Sequence, residues 1–268
     1  MFARIVFFIV FVTCLLLLPV AFKKITCGFR IAKMHLDFPY RSEWETEVVP
    51  SLEKILNQRF YFLGKGAQSY VFEDKAGQYV IKLFRYDQPM LEEKIVRLFN
   101  ACKIAYDELK EETGLIYIHL NQTSLQLPIL HFQDAIGRYY KIPLDKYRFA
   151  VQKKAKAFRE TLQMARGNAP IMQKRIDQFL TLLLARTRKG ILNSDPNLSR
   201  NFGFLEDRAI EFDFGNYLYD PKLNKEAEMR RFTSRLKIWL QKQAPEWVFY
   251  LDEEMKKNVD GLHLDGNQ

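Results

Sequence analysis

Residues 190 to 217 read GILNSDPNLSRNFGFLEDRAIEFDFGNY. Within them stand a carboxylate, Asp195, an amide six places on, Asn201, and a second carboxylate, Asp213, followed by Phe214 and Gly215. Two acids and an amide this close in sequence offer hard oxygen ligands for a small divalent cation and a carboxylate able to take a proton from a hydroxyl. The same residue types also cap turns, and Asp-Pro-Asn alone is a common turn. What separates the two readings is the set of elements that would hold these residues in place.

Immediately upstream, IMQKRIDQFLTLLLARTRKG sets Ile176, Phe179, Leu180, Leu183 and Leu184 on one helical face. Arg186, Arg188 and Lys189 stand in its last turn, where they complement the helix dipole, and Gly190 ends it. RAIEFDFG then reads as a short buried strand that delivers Asp213. A second informative stretch, FYFLGKGAQSYVFEDKAGQYVIKLF at residues 60–84, predicts three antiparallel strands. Gly64 and Gly66 lie between the first two, where a bare backbone can approach a phosphate closely, and Lys82 on the third would aim a compact positive charge at the same phosphates. From Pro89 the pattern is helical, with Ile95, Leu98, Phe99, Cys102, Ala105 and Leu109 on one face and Gly114 as its stop. Among its acids Glu108 is the first choice of partner for Lys82, and Glu92 the next. Residues 127–152 give two further strands around Gly137, completing a sheet of about five, and 152–155 form a hinge to a mainly helical second lobe. Met229, Phe232, Leu236, Trp239 and Leu240 predict a helix over 225–243, and Pro245 suits the first turn of the next.

At 268 residues with 48% apolar and 14% aromatic content, the chain is excluded from the disordered class and can bury a substantial core. Its net charge of +9 suits a phosphate-bearing ligand or an anionic membrane surface; it would also suit nucleic acid, but no nucleic-acid motif accompanies it and none is expected as partner. Three cysteines, one inside an apolar run, imply no disulfide framework, and the four histidines lack metal-ligand spacing. Ile5 to Phe22 contain a single polar residue, Thr13, and as a helix would span roughly 27 Å. Residues 1–24 are therefore expected to be an uncleaved transmembrane anchor, with 25–54 as a juxtamembrane linker. Lys23, Lys24, Arg30 and Lys33 place the C-terminal bulk of the chain on the cytoplasmic side, where ATP is available.

A glycine hairpin, a strand lysine, an acidic helix, a hinge, an Asp loop with an Asn, and Asp-Phe-Gly succeed one another in the order and spacing of the protein-kinase-like superfamily, which residues 55–260 resemble. A helix starting about ten residues after Asp213 leaves little room for an activation segment. In this the chain is similar to the aminoglycoside, choline and lipopolysaccharide-sugar kinases more than to protein kinases, and Ala244-Pro245-Glu246 is an accidental match to a protein-kinase segment. The resemblance implies an α+β, two-lobed fold: an antiparallel sheet plus helix at 55–152, a mainly helical lobe at 153–260, and a tail at 261–268. It implies ATP and magnesium as cofactors, and transfer of the γ-phosphate to a hydroxyl of a small molecule or glycolipid. Asp195 would be the catalytic acid–base residue, Asn201 and Asp213 the magnesium ligands, and Lys82 the phosphate-binding lysine paired with Glu108, under the loop of Gly64 and Gly66. Arg200, Lys222, Arg230 and Arg231 are candidates for holding anionic groups of the acceptor. Two departures stand out. Asn193-Ser194-Asp195 replaces the usual His-Arg-Asp or His-Gly-Asp, and Asn201 comes six residues after the aspartate instead of five. Either the loop bulges or Asn197 takes the metal, and a catalytically silent module that binds nucleotide or a partner is the alternative, as is a serine/threonine protein kinase. Nothing in the sequence fixes an oligomeric state.

Overall fold

The computed structural model describes residues 2–86 and 91–265; the side chains of residues 2–6, 8–10, 12, 14 and 263–265 lie outside that description. In chain order the elements are α1 (Phe2–Ile25), α2 (Leu52–Leu56), β1 (Arg59–Lys65), β2 (Ser69–Asp74), β3 (Tyr79–Phe84), α3 (Glu92–Glu108), α4 (Lys110–Thr113), β4 (Leu115–His119), β5 (Ile129–Gln133), β6 (Tyr139–Pro143), β7 (Phe149–Lys153), β8 (Lys156–Ala157), α5 (Phe158–Ala165), α6 (Ala169–Arg188), β9 (Ile191–Asn193), α7 (Leu198–Asn201), β10 (Phe202–Phe204), β11 (Ala209–Glu211), β12 (Tyr217–Tyr219), α8 (Lys225–Gln243) and α9 (Val248–Asp265). The class is α+β. The chain divides into two compact units, one of Met1–Pro89 with His119–Ala150 and one of Met90–Ile118 with Val151–Gln268, so α3 and α4 belong to the second. The expected transmembrane anchor falls on α1, where ten side chains lie outside the described residues; among the described residues no helix is long and apolar enough to cross a membrane.

The first unit is built on a sheet. β1, β2 and β3 form the antiparallel meander that their glycine-bounded, β-branched and aromatic sequences predict, with Phe62 opposite Phe72 and Val71 opposite Lys82. β5 and β6 form a hairpin around Gly137, whose φ of 80° is open to glycine at no steric cost. The sheet as a whole differs from expectation. It has seven strands in the order β4-β7-β3-β2-β1-β5-β6, and it is mixed, because β5 joins β1 in parallel with Phe60 opposite Phe132. A tight hairpin can join only antiparallel neighbours. β5 reaches β1 from far along the chain, and its own residues carry no mark of the direction in which it docks. Phe29 sits at the centre of the apolar layer on this sheet, with its ring 4.9 Å from Tyr70, 5.4 Å from Tyr140 and 5.8 Å from Phe132. The buried Arg148 guanidinium clamps the segment before α2 by donating to the carbonyls of Leu36 at 2.6 Å and Phe38 at 3.2 Å.

In the second unit α6, α8 and α9 enclose a core of Phe158, Phe179, Phe202, Phe232, Leu236 and Leu251. Helix starts carry their own signals: Asn168 accepts from Ile171 N ahead of α6, and Asn224 from Ala227 N ahead of α8. The helix expected at 225–243 is present with those bounds, and Pro245 opens a 3₁₀ turn that leads into α9.

His119, 3% exposed, sits in the first unit with Nδ1 donating to the Tyr147 carbonyl at 2.7 Å and Nε2 2.9 Å from Thr123 Oγ1, itself 2.8 Å from Asp145 Oδ1. Burial holds its pKa below the ordinary imidazole value, over the opposing influence of Tyr147 and Asp145. The folded state therefore binds the proton less readily than the unfolded state, so stability is lost as pH falls below about 6.5, at most about 1.4 kcal/mol per pH unit from this one group. The thermal midpoint of the wild-type chain should drop on acidification from about pH 7 to about pH 5 by more than that of His119→Gln. Parallel pH profiles for the two proteins would exclude this role.

Candidate functional site

Two short antiparallel pairs carry the acidic residues of the second unit. β9 pairs with β12, setting Asn193 opposite Tyr217, and β10 pairs with β11, setting Phe202 opposite Glu211. One loop, 194–201, runs from β9 to β10, and another, 212–216, from β11 to β12. Asp195 lies two residues past Asn193 and Asp213 two residues past Glu211. At the roots of these loops Asn193 Nδ2 donates to Glu211 Oε1 at 2.6 Å, with both residues fully buried. This buried hydrogen bond ties together the roots of the two loops from which the carboxylates extend.

Between Asp195 and Asn201 the chain makes one helical turn, α7. Asn197 begins it, its carbonyl accepting from Asn201 N at 3.0 Å. Asn197 itself is exposed, whereas Asn201 is 1% exposed and reaches back, Nδ2 donating to the Asp195 carbonyl at 3.0 Å. Asp213 N donates to the Asn201 carbonyl at 3.3 Å. Asp195, Asn201 and Asp213 are thus brought together, and of the two amides it is Asn201 that joins the acids. The Asp213 carboxylate has no hydrogen-bond or ion-pair partner among the described residues, and that of Asp195 accepts the Asn197 backbone N–H at 3.2 Å. Gly203 holds the far end of the loop: a Cβ there would lie 2.6 Å from the Lys156 carbonyl oxygen and 2.8 Å from Ala155 Cβ, so only glycine lets β8 lie against β10.

Beneath the loops lies a cluster that sequence reasoning did not find. Arg186, read from the sequence as a dipole-complementing residue at a helix end, is fully buried, with its guanidinium 3.0 Å from Glu228 and 3.5 Å from Glu211. It also lies 4.3 Å from the centroid of the Phe232 ring. None of its nitrogens has hydrogen-bond geometry to these partners, so charge and ring faces hold it in place of directed bonds. Burial pushes the Glu211 carboxyl up, against the pull of Arg186, Asn193 and Tyr217. Glu228 also takes Arg231 at 2.8 Å and accepts from Asn193 N at 3.2 Å, while Arg231 donates to the Asn193 carbonyl. Tyr217 donates its hydroxyl to Glu211 at 2.8 Å, and burial raises its own pKa well above the ordinary phenol value. The signal for Arg186 was present: it comes seven residues after Phe179, on the apolar stripe of α6.

In the first unit two of the phosphate-binding candidates, Gly64 and Lys82, share one cross-strand row. Gly64 pairs with Val71 and Val71 with Lys82, so the glycine and the lysine stand on one face, two strands or roughly 10 Å apart. The β1–β2 turn closes with Gly66 N donating to the Ser69 carbonyl at 2.9 Å, and Arg85 pins it by donating to the Ala67 carbonyl at 2.9 Å. Neither Gly64 nor Gly66 has a positive φ, a Cβ at Gly64 would meet nothing within 4 Å, and one at Gly66 would come no closer than 3.7 Å to Ser69. Glu108, at the end of α3, lies 3.5 Å from Lys189, which donates to the Glu108 carbonyl. Of the four basic residues considered for the acceptor, Arg230 and Arg231 are engaged by Glu226 and Glu228. A cleft of about 610 Å³ opens beside Asp195, walled by α5, the 194–201 loop and α8.

Removing Arg186 would leave Glu211 buried without a cation and Glu228 with only the half-buried Arg231. Arg186→Met should cost about 3–5 kcal/mol of stability, whereas Arg230→Met, which loses only an exposed pair with Glu226, should cost less than about 1 kcal/mol. Urea unfolding of the two variants checks this, and equal midpoints would rule out a buried charge anchor.

No protein-family model matches this chain and no curated protein matches it, so the reading of the site rests on its own residues and geometry.

Proposed function

We propose that the chain is a kinase-type phosphotransferase that uses ATP and magnesium to phosphorylate a hydroxyl of a small molecule or of a glycolipid headgroup. The observation that carries this reading is the convergence of Asp195, Asn201 and Asp213 at the ends of two short strand pairs, with the Asp213 carboxylate unclaimed and the Asp195 carboxylate held only by a backbone N–H. A carboxylate serving merely as a turn cap would be taken up by nearby backbone amides, as those of Asp74 and Asp134 are; Asp195 accepts one such amide, and Asp213 accepts none.

Two further features support it. Gly64 and Gly66 are required neither by backbone conformation nor by packing, and close approach of a phosphate to the bare backbone accounts for both, with Lys82 on the same row. Magnesium fits the second-unit donors, since it is held by one or two protein oxygens together with substrate phosphates and water. Asn201 and Asp213 would hold it, and among the described residues no group of three or more His, Cys, Asp and Glu competes for it. When bound it neutralises charge on the phosphate oxygens.

In the proposed step the acceptor oxygen attacks the γ-phosphorus. An oxygen–phosphorus bond forms, the bond from the γ-phosphorus to the β–γ bridging oxygen breaks, ADP leaves, and the hydroxyl proton passes to Asp195. Lys82 holds the phosphates and Asn201 keeps the Asp195 loop in register. A peptide acceptor is disfavoured, because residues 220–224 alone separate β12 from α8 and leave no platform on which it could lie. The lipid form of the acceptor is favoured by the exposed apolar side chains of α1, among them Leu16, Leu18, Val20 and Phe22, followed by Lys23 and Lys24.

Asp213→Asn should abolish the magnesium-dependent part of the thermal shift produced by ATP, whereas Asp195→Asn should retain that shift and lose turnover by at least about a hundredfold. Unchanged binding and transfer in both variants would refute the assignment. The full-length chain should also resist extraction from membranes by alkaline carbonate, and recovery in the soluble fraction would remove the tether from the proposal.

A further inference from the structure

The cleft beside Asp195 has a marked charge asymmetry. Its cationic lining residues are Arg159 from α5 and Arg235 and Lys242 from α8, and its one carboxylate is Asp195. None of the three cations has an ion pair, hydrogen bond or ring partner among the described residues. Elsewhere in the same unit Arg186, Arg208, Arg230 and Arg231 are all paired with acids. On α8, Arg235, Ile238, Trp239 and Lys242 recur at helical spacing, next to the stripe of Met229, Phe232, Leu236 and Leu240 that enters the core. Two cations seven residues apart on a helix stand about 10 Å from each other along its axis, and half-buried Trp239 lies between them, offering a flat apolar face. Three unpaired cations in a concave wall around one carboxylate are arranged for an anion, and they would repel an aminated ligand.

We infer that the acceptor is itself an anion: a polyol or sugar bearing a phosphate or carboxylate, whose acidic group is held by Arg159, Arg235 and Lys242 and whose ring or carbon chain lies on Trp239, so that a hydroxyl is presented to Asp195. This rests on the phosphotransfer reading of the site and names its substrate class. Holding the acidic group away from the reacting hydroxyl keeps its charge clear of Asp195, and the guanidinium forks of Arg159 and Arg235 suit the paired oxygens of either acidic group.

Intrinsic fluorescence of the full-length chain in detergent tests binding without requiring turnover, with glucose, glucuronate and glucose 6-phosphate as probes and Trp239→Phe identifying the reporting residue. Glucose 6-phosphate or glucuronate should perturb Trp239 emission at concentrations where glucose does not, and Arg235→Gln combined with Lys242→Gln should weaken that binding by about tenfold or more. Phosphate transfer is measured in parallel to the same sugars and to vesicles of phosphatidylglycerol, whose headgroup has hydroxyls beside a phosphate, or of phosphatidylcholine, which has none. Preference for the acidic sugars points to a soluble acceptor, preference for phosphatidylglycerol to a lipid one, and either supports the inference. Equal response to glucose and to its acidic counterparts, failure of any probe to bind, or indifference to the double substitution overturns it. A magnesium-dependent ATP shift that survives while anion binding is absent sinks this inference alone; anion binding without that shift or any turnover sinks the phosphotransfer reading alone.

Discussion

The arrangement of the second unit depends on one buried charge. Arg186 enters the interior on the apolar face of α6 and must be neutralised there, since an isolated guanidinium in a low-dielectric core is too costly to keep. Its partners come from elements far apart in sequence, Glu211 at the end of β11 and Glu228 in the first turns of α8. The two acids then take up Asn193 from the end of β9, through its side chain and its backbone N–H. Three segments are thereby fixed about one cation: the strand leading to Asp195, the strand leading to Asp213, and the helix that walls the cleft. Apolar residues of the same shape could pack as well, but they would not specify which strand end meets which.

Much of this was legible in the sequence, and what was missed has a common cause. The strands around Gly64, the position of Lys82, the helix ending near Arg188 and the 225–243 helix all arise from local periodicity and from Gly and Asn signals at element ends. β4 escaped because LIYIH is a five-residue run directly behind a helical pattern, with no turn signal of its own beyond Gly114. The parallel β1–β5 pairing escaped because strand direction is a property of the whole chain path. Arg186 was assigned by residue type to the dipole-complementing end of the helix although its position on the stripe after Phe179 and Leu183 pointed inward. Asn193 was read only as a departure from an expected histidine; its burial and its bonds to Glu211, Glu228, Arg231 and Asp195 make it a fully engaged joint.

The Asp195–Asn201 interval is closed by the same kind of local fit: one helical turn, α7, lets the Asn197 carbonyl receive the amide of Asn201. The Asn201 side chain is then directed back to the Asp195 carbonyl and not out to solvent. Gly203 completes the fit, because the strand after the turn must run against β8 at a distance that no side chain would permit.

Helix α8 joins the interior to the chemistry. Glu228 fixes its first turns to the buried arginine, its apolar stripe enters the core, and its third face, Arg235 to Lys242, lines the cleft beside Asp195. A helix anchored at one end and packed along its length can neither slide nor rotate without exposing the core or uncovering a buried charge. The cations of the cleft are therefore held in fixed register with a carboxylate whose own position is set by Asn193 and, through it, by the same Glu228. The cationic lining of the cleft and the placement of the Asp195 carboxylate are in this way consequences of one buried interaction.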